Sequence, residues 1–487
     1  MNAAAYTPEE PIAAIATALA PAALGIVRCT GTGVIELLAK VFSRPQALLS
    51  AAGNTLVYGW MVEPVDGTEE AAGKTEFRSI DQVLVSVFRN PRSFTGEDMV
   101  EISCHGGPGM VTEIFRLLTS HGFRAALPGE FTFRSFINGK ADLTRSEAVH
   151  EIIAAKTDTS RSRAAGRLAG GLFQELDAIK QLLRETLAAL EAEIEYPEDE
   201  EAIADAFDSR QLEEARRRLE SLCNSWASEK LYQDGVRVVL CGRTNAGKSS
   251  LFNTLLKEDR SIVSDIHGTT RDWIESWVSF AGIPARLFDT AGLRESDDEV
   301  ERHGIQRTQD LTAEAQLILY LVDASFGLVE EDKAFLSKWS QNEPATRPPL
   351  LLVLNKWDKV ADTNPPELDL NLELELQQLP LDGIIRLSAK TGAGTAQLVE
   401  AVKDVISRDC SSNSSGQVGL GTERQKICAQ EALEAVIHGL DVAQDGYTLD
   451  AVVQDVEEAL AALGEITGEV TTEDILDTVF SKFCLGK

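Results

Sequence analysis

The spacing of hydrophobic and polar positions changes character several times along the chain. The stretch Asp81 to Phe88 (DQVLVSVF) is dense in β-branched and apolar residues, and Pro64-Val65-Asp66-Gly67 offers a turn between strand-like segments. Residues 1–140 therefore read as an α+β domain. Over 141–230 the period becomes helical: Ile179, Leu182, Leu183, Leu187, Leu190 and Ile194 recur on one stripe, and Leu212, Leu219, Leu222 and Trp226 continue on a second helix. Over 231–405 three apolar runs, VRVVLC from Val236, LILYLVD from Leu317 and LLLVLN from Leu350, alternate with helical stretches, as in a parallel sheet covered on both faces. The polar stretch Ser411-Ser412-Asn413-Ser414-Ser415-Gly416 reads as a loop or linker. In 406–487, Leu449, Val452, Val453, Val456, Leu460 and Leu463 form a further amphipathic helix. The simplest arrangement packs the C-terminal helices on those of 141–230 and makes the α/β segment an insertion in one helical domain. The expected fold is thus multi-domain, α+β followed by helices and an inserted α/β unit.

Composition narrows the function. At 487 residues and about 150 per domain, roughly three domains are expected. A formal net charge of -31 repels polyanions, which disfavours tight solitary binding to nucleic acid. The seven cysteines are scattered and form no CxxC pair, so neither a disulfide framework nor a zinc site is expected. The apolar run Ile12 to Val27 is interrupted by Thr17 and Pro21 and preceded by Glu9 and Glu10, unlike a signal peptide or a membrane span. A cytoplasmic protein without a membrane is the default expectation.

The most informative segment is Gly242-Arg243-Thr244-Asn245-Ala246-Gly247-Lys248-Ser249, which fits GxxxxGK[ST] after the strand VRVVLC and before a helix opening at Ser250. Such a loop curls backbone N–H groups round phosphates, with Lys248 to neutralise the β/γ charge and Ser249 to offer a hydroxyl to Mg²⁺. Asp289-Thr290-Ala291-Gly292 follows a strand-like run, where an acid can hold magnesium through water and a glycine N–H can sense the γ-phosphate. Asn355-Lys356-Trp357-Asp358 and Ser388-Ala389-Lys390 resemble the guanine-specificity motifs of translation-factor-related GTPases, which implies GTP, with Asp358 on the guanine edge. Gly268-Thr269-Thr270-Arg271-Asp272 stands where switch I belongs, with Thr270 as the magnesium and γ-phosphate ligand. Leu293 occupies the place after DxxG where Ras-type enzymes carry a water-orienting Gln, so another group must orient the water.

Phe94-Thr95-Gly96-Glu97-Asp98, Cys104-His105-Gly106-Gly107, Pro128-Gly129-Glu130-Phe131-Thr132, Asn138-Gly139-Lys140, Asp289 to Glu295 and the terminal Phe483-Cys484-Leu485-Gly486-Lys487 together resemble the bacterial tRNA-modification GTPase family MnmE (TrmE) over nearly the whole length. The resemblance implies an N-terminal folate-binding and dimerisation domain, a helical domain built from both sides of the G domain, and a homodimer. It also implies a heterotetramer-like complex with the FAD-dependent partner MnmG that modifies C5 of the tRNA wobble uridine, binding tRNA mainly as that complex. By the same resemblance Glu301 orients the attacking water, and Asn245 with Ser264, Ile266 and Thr269 holds K⁺. Arg28, Glu101, Lys140 and Lys487 fall on the site for 5-formyl- or 5,10-methylene-tetrahydrofolate, and Cys484 matches a cysteine implicated in the modification. His105 is expected in a turn or packing role. The chain departs from the family at Leu19 to Gly25, usually a Gly/Arg-rich loop, and at Leu127, commonly Arg. Two rival readings are a ribosome-assembly GTPase of the Era or Der type, which would need a basic RNA-binding module, and a folate-dependent one-carbon transferase with an accessory switch domain.

Overall fold

The computed structural model describes residues 10–64, 77–195, 209–258, 274–289, 314–344, 346–361, 379–408, 418–444, 449–483 and 486. They form two compact units, one of residues 1–150, 168–215 and 431–487, the other of 151–167 and 216–430. Neither unit coincides with one of the four segments drawn from the sequence.

The first unit is built on a six-stranded sheet in the order β3-β4-β5-β2-β1-β6. Its strands are β1 (Ile12–Ile15), β2 (Leu24–Thr30), β3 (Thr55–Pro64), β4 (Phe77–Phe88), β5 (Met99–His105) and β6 (Arg124–Ala125). The apolar run at Ile12 to Val27 is thus an antiparallel strand pair. Among the described residues no helix is long and apolar enough to cross a membrane. β4 alternates, with Val83, Val85 and Val87 buried and Gln82 and Leu84 exposed. Each such valine contributes about 1.5–3 kcal/mol when buried. On the buried face Val34, Ile35 and Leu38 of one helix and Val111, Ile114, Leu117 and Leu118 of another complete the core. β4 starts four residues before the apolar run suggested. Its first residues extend the ladder with β3, Arg78 opposite Glu63 and Phe77 opposite Pro64, and Arg78 also donates to Glu63 and Glu113.

The helices Gly171–Glu195 and Leu449–Thr467, each expected from its apolar period, pack together in the same unit. Lys180, almost fully buried, fastens the pair by donating to Glu469 at 2.6 Å and Thr467 at 3.3 Å. Phe133, Val479, Phe480 and Phe483 form a separate apolar cluster that seats the chain's last helix, Glu473–Phe480, on the helix Glu130–Ile137.

The second unit contains β7 (Val236–Cys241), β8 (Ile274–Phe280), β9 (Ile283–Asp289), β10 (Leu317–Asp323), β11 (Leu350–Asn355) and β12 (Gly383–Arg386), in the order β12-β11-β10-β7-β9-β8. All neighbours are parallel except β8 and β9. The uninterrupted apolar runs have a simple cause. Leu317, Leu319, Leu321, Leu351 and Val353 face one core with Leu251, Leu255 and Leu398, whereas Ile318, Tyr320, Val322, Leu352 and Leu354 face another with Leu336 and Trp339. Both faces of the pleat are buried, so no polar position interrupts the pattern.

Candidate functional site

β7, in the middle of the sheet, runs straight into the loop 242–247, and the helix Lys248–Glu258 begins at the lysine. Two glycines in the loop are sterically obligatory. At Gly242 φ is +133° and a Cβ would lie 2.3 Å from the Leu321 carbonyl oxygen; at Gly247 φ is +100° and a Cβ would lie 2.1 Å from Asn355 Nδ2. Lys248 is buried and its ammonium donates to the loop's own carbonyls, Gly242 at 2.7 Å and Arg243 at 2.9 Å. Ser249 Oγ donates to Asp289 Oδ2 at 2.9 Å, which places a hydroxyl and a carboxylate together at the ends of the helix and of β9. Burial pushes the Cys241 thiol up to about 12, against a smaller opposite effect of Lys248, so the last residue of β7 is an apolar filler rather than a nucleophile.

The guanine-type motifs close the other side. Asn355, at the end of β11, donates from Nδ2 to the Ala246 carbonyl at 2.8 Å and accepts the Ala389 N–H on Oδ1 at 2.9 Å, so one amide joins the phosphate loop to the Ser388-Ala389-Lys390 loop. The Ala389 carbonyl in turn accepts from Thr254 of the helix at 2.8 Å. Lys356 has φ +62° and Asn245 φ +66°, and the Lys356 ammonium donates to the Asn245 carbonyl at 2.7 Å and to Asp323 Oδ2 at 2.7 Å. Asn245, Ser249, Ser250 and Lys390 are exposed, Asp358 is half-buried, and Ser388 and Ala389 are buried in the loop that presents them. Asp323 is the residue of this site that the motif reading missed. Its signal was an acid closing the apolar run LILYLVD, as Asn355 closes LLLVLN.

Thr290, Ala291, Gly292, Leu293, Glu301, Ser264, Ile266, Thr269 and Thr270 lie outside the described residues, as do Cys484 and Lys487.

In the first unit Arg28 on β2 and Glu101 on β5 are register partners and form an ion pair at 2.9 Å. The Arg28 guanidinium lies 5.3 Å from the ring centre of Phe94 and 5.4 Å from that of Phe131, and it donates to the Gly486 carbonyl at 3.1 Å. Burial lowers its basicity more than Glu101 restores it. Lys140 is exposed and donates to the Pro91 carbonyl at 3.0 Å, away from that pair's own hydrogen bonds. The remaining motifs here are spent on scaffolding. Glu130 is fully buried and accepts from Arg124 at 2.6 Å, Arg134 at 3.0 Å and the Leu127 N–H at 2.8 Å; Arg134 reaches Glu97 at 3.0 Å. A Cβ on Gly129 would lie 2.5 Å from the Phe480 carbonyl oxygen, and Asn138 donates to the Thr95 carbonyl at 2.8 Å. His105 sits at the end of β5 with Nδ1 2.7 Å from Asp81.

A mostly parallel sheet whose central strand feeds a glycine-pinned loop, with a lysine, a serine–aspartate pair and an asparagine bridge around it, is the construction of a P-loop nucleotide-binding protein. Two family models cover the chain: "GTP-binding protein TrmE N-terminus" over residues 11–140 and "MnmE helical domain" over 143–484. A protein of Treponema denticola named tRNA modification GTPase MnmE is 47% identical over 99% of both chains, and one of Borrelia turicatae with the same name is 37% identical over 98% of both. The chain belongs to the MnmE (TrmE) family. Among solved structures, Era of Aquifex aeolicus bound to GDP·AlF4⁻ is 23% identical, covering 41% of this chain and 66% of its own, with a TM-score of 0.28.

Proposed function

We propose that this chain is a GTPase, driven by potassium and coupled to modification of the tRNA wobble uridine. The observation that carries the nucleotide part of this reading is the cradle formed by Lys248, the Ser249–Asp289 pair and the Asn355 bridge to Ala246 and Ala389. Lys248 exchanges two loop carbonyls for the β/γ-phosphates, and the backbone N–H groups of 245–250 cradle them. Asp358 accepts from the guanine edge while Ser388, Ala389 and Lys390 wall the base. Ser249 and Asp289 are hard oxygen donors of the type Mg²⁺ takes, Ser249 directly and Asp289 through water, with Thr270 as a further ligand. Bound magnesium would offset charge developing on the transferred phosphoryl group.

Asn245 stands at the loop's exposed rim, its backbone turned by φ +66° and held by Lys356, and in this reading its side chain holds K⁺ together with Ser264, Ile266 and Thr269. A monovalent cation there would supply charge as an arginine finger does. Leu293 cannot hydrogen-bond water, so Glu301 orients it. In the first unit Arg28 and Glu101 suit the carboxylates and the pterin donors of a reduced folate, with Lys140 and Lys487 as further cations. The Gly486 carbonyl on Arg28 supports Lys487, because that residue comes next. Cys484 takes part in the modification. The working species is a cytoplasmic homodimer in complex with the flavoprotein MnmG, which supplies the grip on tRNA that a net charge of -31 denies this chain alone.

The test is phosphate release from GTP in K⁺ against Na⁺, with and without the flavoprotein. K⁺ should be faster by at least tenfold, and Glu301→Ala should lose about 10² in rate with GTP binding kept. Equal rates in the two salts would remove the potassium reading. Submicromolar tRNA binding by the chain alone at physiological salt would favour the RNA-binding rival.

A further inference from the structure

Asp323 holds the residue that binds the phosphate loop. Its carboxylate closes β10 and its side chain is only 4% exposed. Oδ1 accepts from the Ser325 N–H at 3.1 Å and from Ser325 Oγ at 2.6 Å, while Oδ2 accepts from Lys356 Nζ at 2.7 Å. Burial favours its neutral form, but the hydrogen bonds from Lys356 and Ser325 outweigh that and hold the carboxyl below its ordinary value. The group is therefore an anion at neutral pH. The same ammonium donates to the Asn245 carbonyl at 2.7 Å. One lysine thus ties the end of β10 to the phosphate loop, and both this lysine and its loop partner are in the left-handed region, Lys356 at φ +62° and Asn245 at φ +66°.

That conformation is uncommon for residues with a side chain, although Asn tolerates it better than most. Something outside the loop has to favour it. A carbonyl held by an ammonium fixes the plane of the Asn245–Ala246 peptide, and with it the direction in which the Asn245 side chain leaves the backbone. The ammonium, in turn, is held by a buried carboxylate that Ser325 orients with two hydrogen bonds.

We propose that Asp323 is a positioning residue for the nucleotide and potassium sites, acting through Lys356 on Asn245. The proposal deepens the GTPase reading and rests on it. Its consequence is that neutralising Asp323 weakens nucleotide binding and the response to potassium together, while leaving the phosphoryl-transfer groups Lys248, Ser249 and Asp289 in place.

The test uses the full chain with Asp323→Asn. The first readout is GDP affinity in Na⁺ alone, by fluorescence of a labelled GDP, which needs no hydrolysis; the second is the K⁺ concentration for half-maximal GTP hydrolysis. Loss of one charge-assisted hydrogen bond should weaken GDP by about tenfold. The potassium midpoint should rise severalfold, and the rate at saturating GTP and K⁺ should stay within about twofold. Ser325→Ala, which removes one of the hydrogen bonds that orient the carboxylate, should move both readouts in the same direction by about two- to threefold. It also decides the matter if Asp323→Asn does not fold. Unchanged GDP affinity and potassium midpoint in a folded variant overturn the proposal, as does a lowered melting temperature without movement of either. A wild-type chain that does not hydrolyse GTP, or ignores potassium, refutes the GTPase reading instead, and the GDP readout still tests the Asp323 linkage.

Discussion

The two candidate sites use their characteristic residues in opposite ways. In the second unit the motif residues surround a cradle: Lys248 donates to two loop carbonyls, and Ser249 donates to Asp289 at 2.9 Å. In the first unit the equally distinctive Glu97, Glu130 and Asn138 are consumed by Arg134, Arg124 and the Thr95 carbonyl. A distinctive motif is therefore not by itself a ligand list. In one unit it encodes a nucleotide cradle, in the other mostly a buried ionic frame.

The sharpest way to break that contrast is Lys248→Ala. It should lower GTP hydrolysis by about 10³-fold, because the transition state loses its main fixed positive charge. Phosphate release checks this, and a melting temperature close to wild type would confirm that the lysine is a working residue rather than a frame residue. A variant that loses stability instead of rate would erase the distinction between the units.

Glu130→Gln probes the frame. Both Glu130 and Arg134 have fully buried side chains, and uncoupling such a pair typically costs about 3 kcal/mol, measured here by urea unfolding, with GTP hydrolysis unchanged. Burial raises the Glu130 pKa, but hydrogen bonds from Arg124, the Leu127 N–H and Arg134 lower it further, so the net shift is below 4.5. Its contribution is thus present above 4.5 and is lost as pH falls through the lowered value, and the difference between wild type and variant should shrink in that acid range.

The smallest effect belongs to the surface of the helices. His438 Nδ1 lies 2.8 Å from Asp455, and that carboxylate, more than Asp441 or Glu458, raises the imidazole above its ordinary 6.5. The stabilisation is present in full below 6.5 and disappears as pH rises through the raised value. Because the ring is exposed, His438→Gln should lower the melting temperature only slightly at pH 6 and not at all at pH 9.

Much of the second unit was readable because its physics is local. β7, β10 and β11 declared themselves as apolar runs, and the phosphate loop as glycines that later proved to have φ of +133° and +100°. β4 was read short because its first residues are held by the ladder with β3, a pairing across space that no hydrophobic period records. Asp323 escaped for a related reason. An acid at the end of a strand has meaning only once Lys356, 33 residues later, is seen to bind it.

The sequence alone determined which segments bury two faces, which bury one, where the phosphate loop lies, and which family pattern the chain carries, since all of these follow from residue type and spacing. Only the tertiary structure decided which ionisable groups are partners. Glu97 and Arg134 could have been ligands by their chemistry, and folding brought them together from 37 positions apart; Arg28 and Glu101 lie 73 residues apart and meet because β2 and β5 pair in that register. Long-range pairing is set by how strands and helices pack, and that packing fixes which charges are removed from water and must find each other.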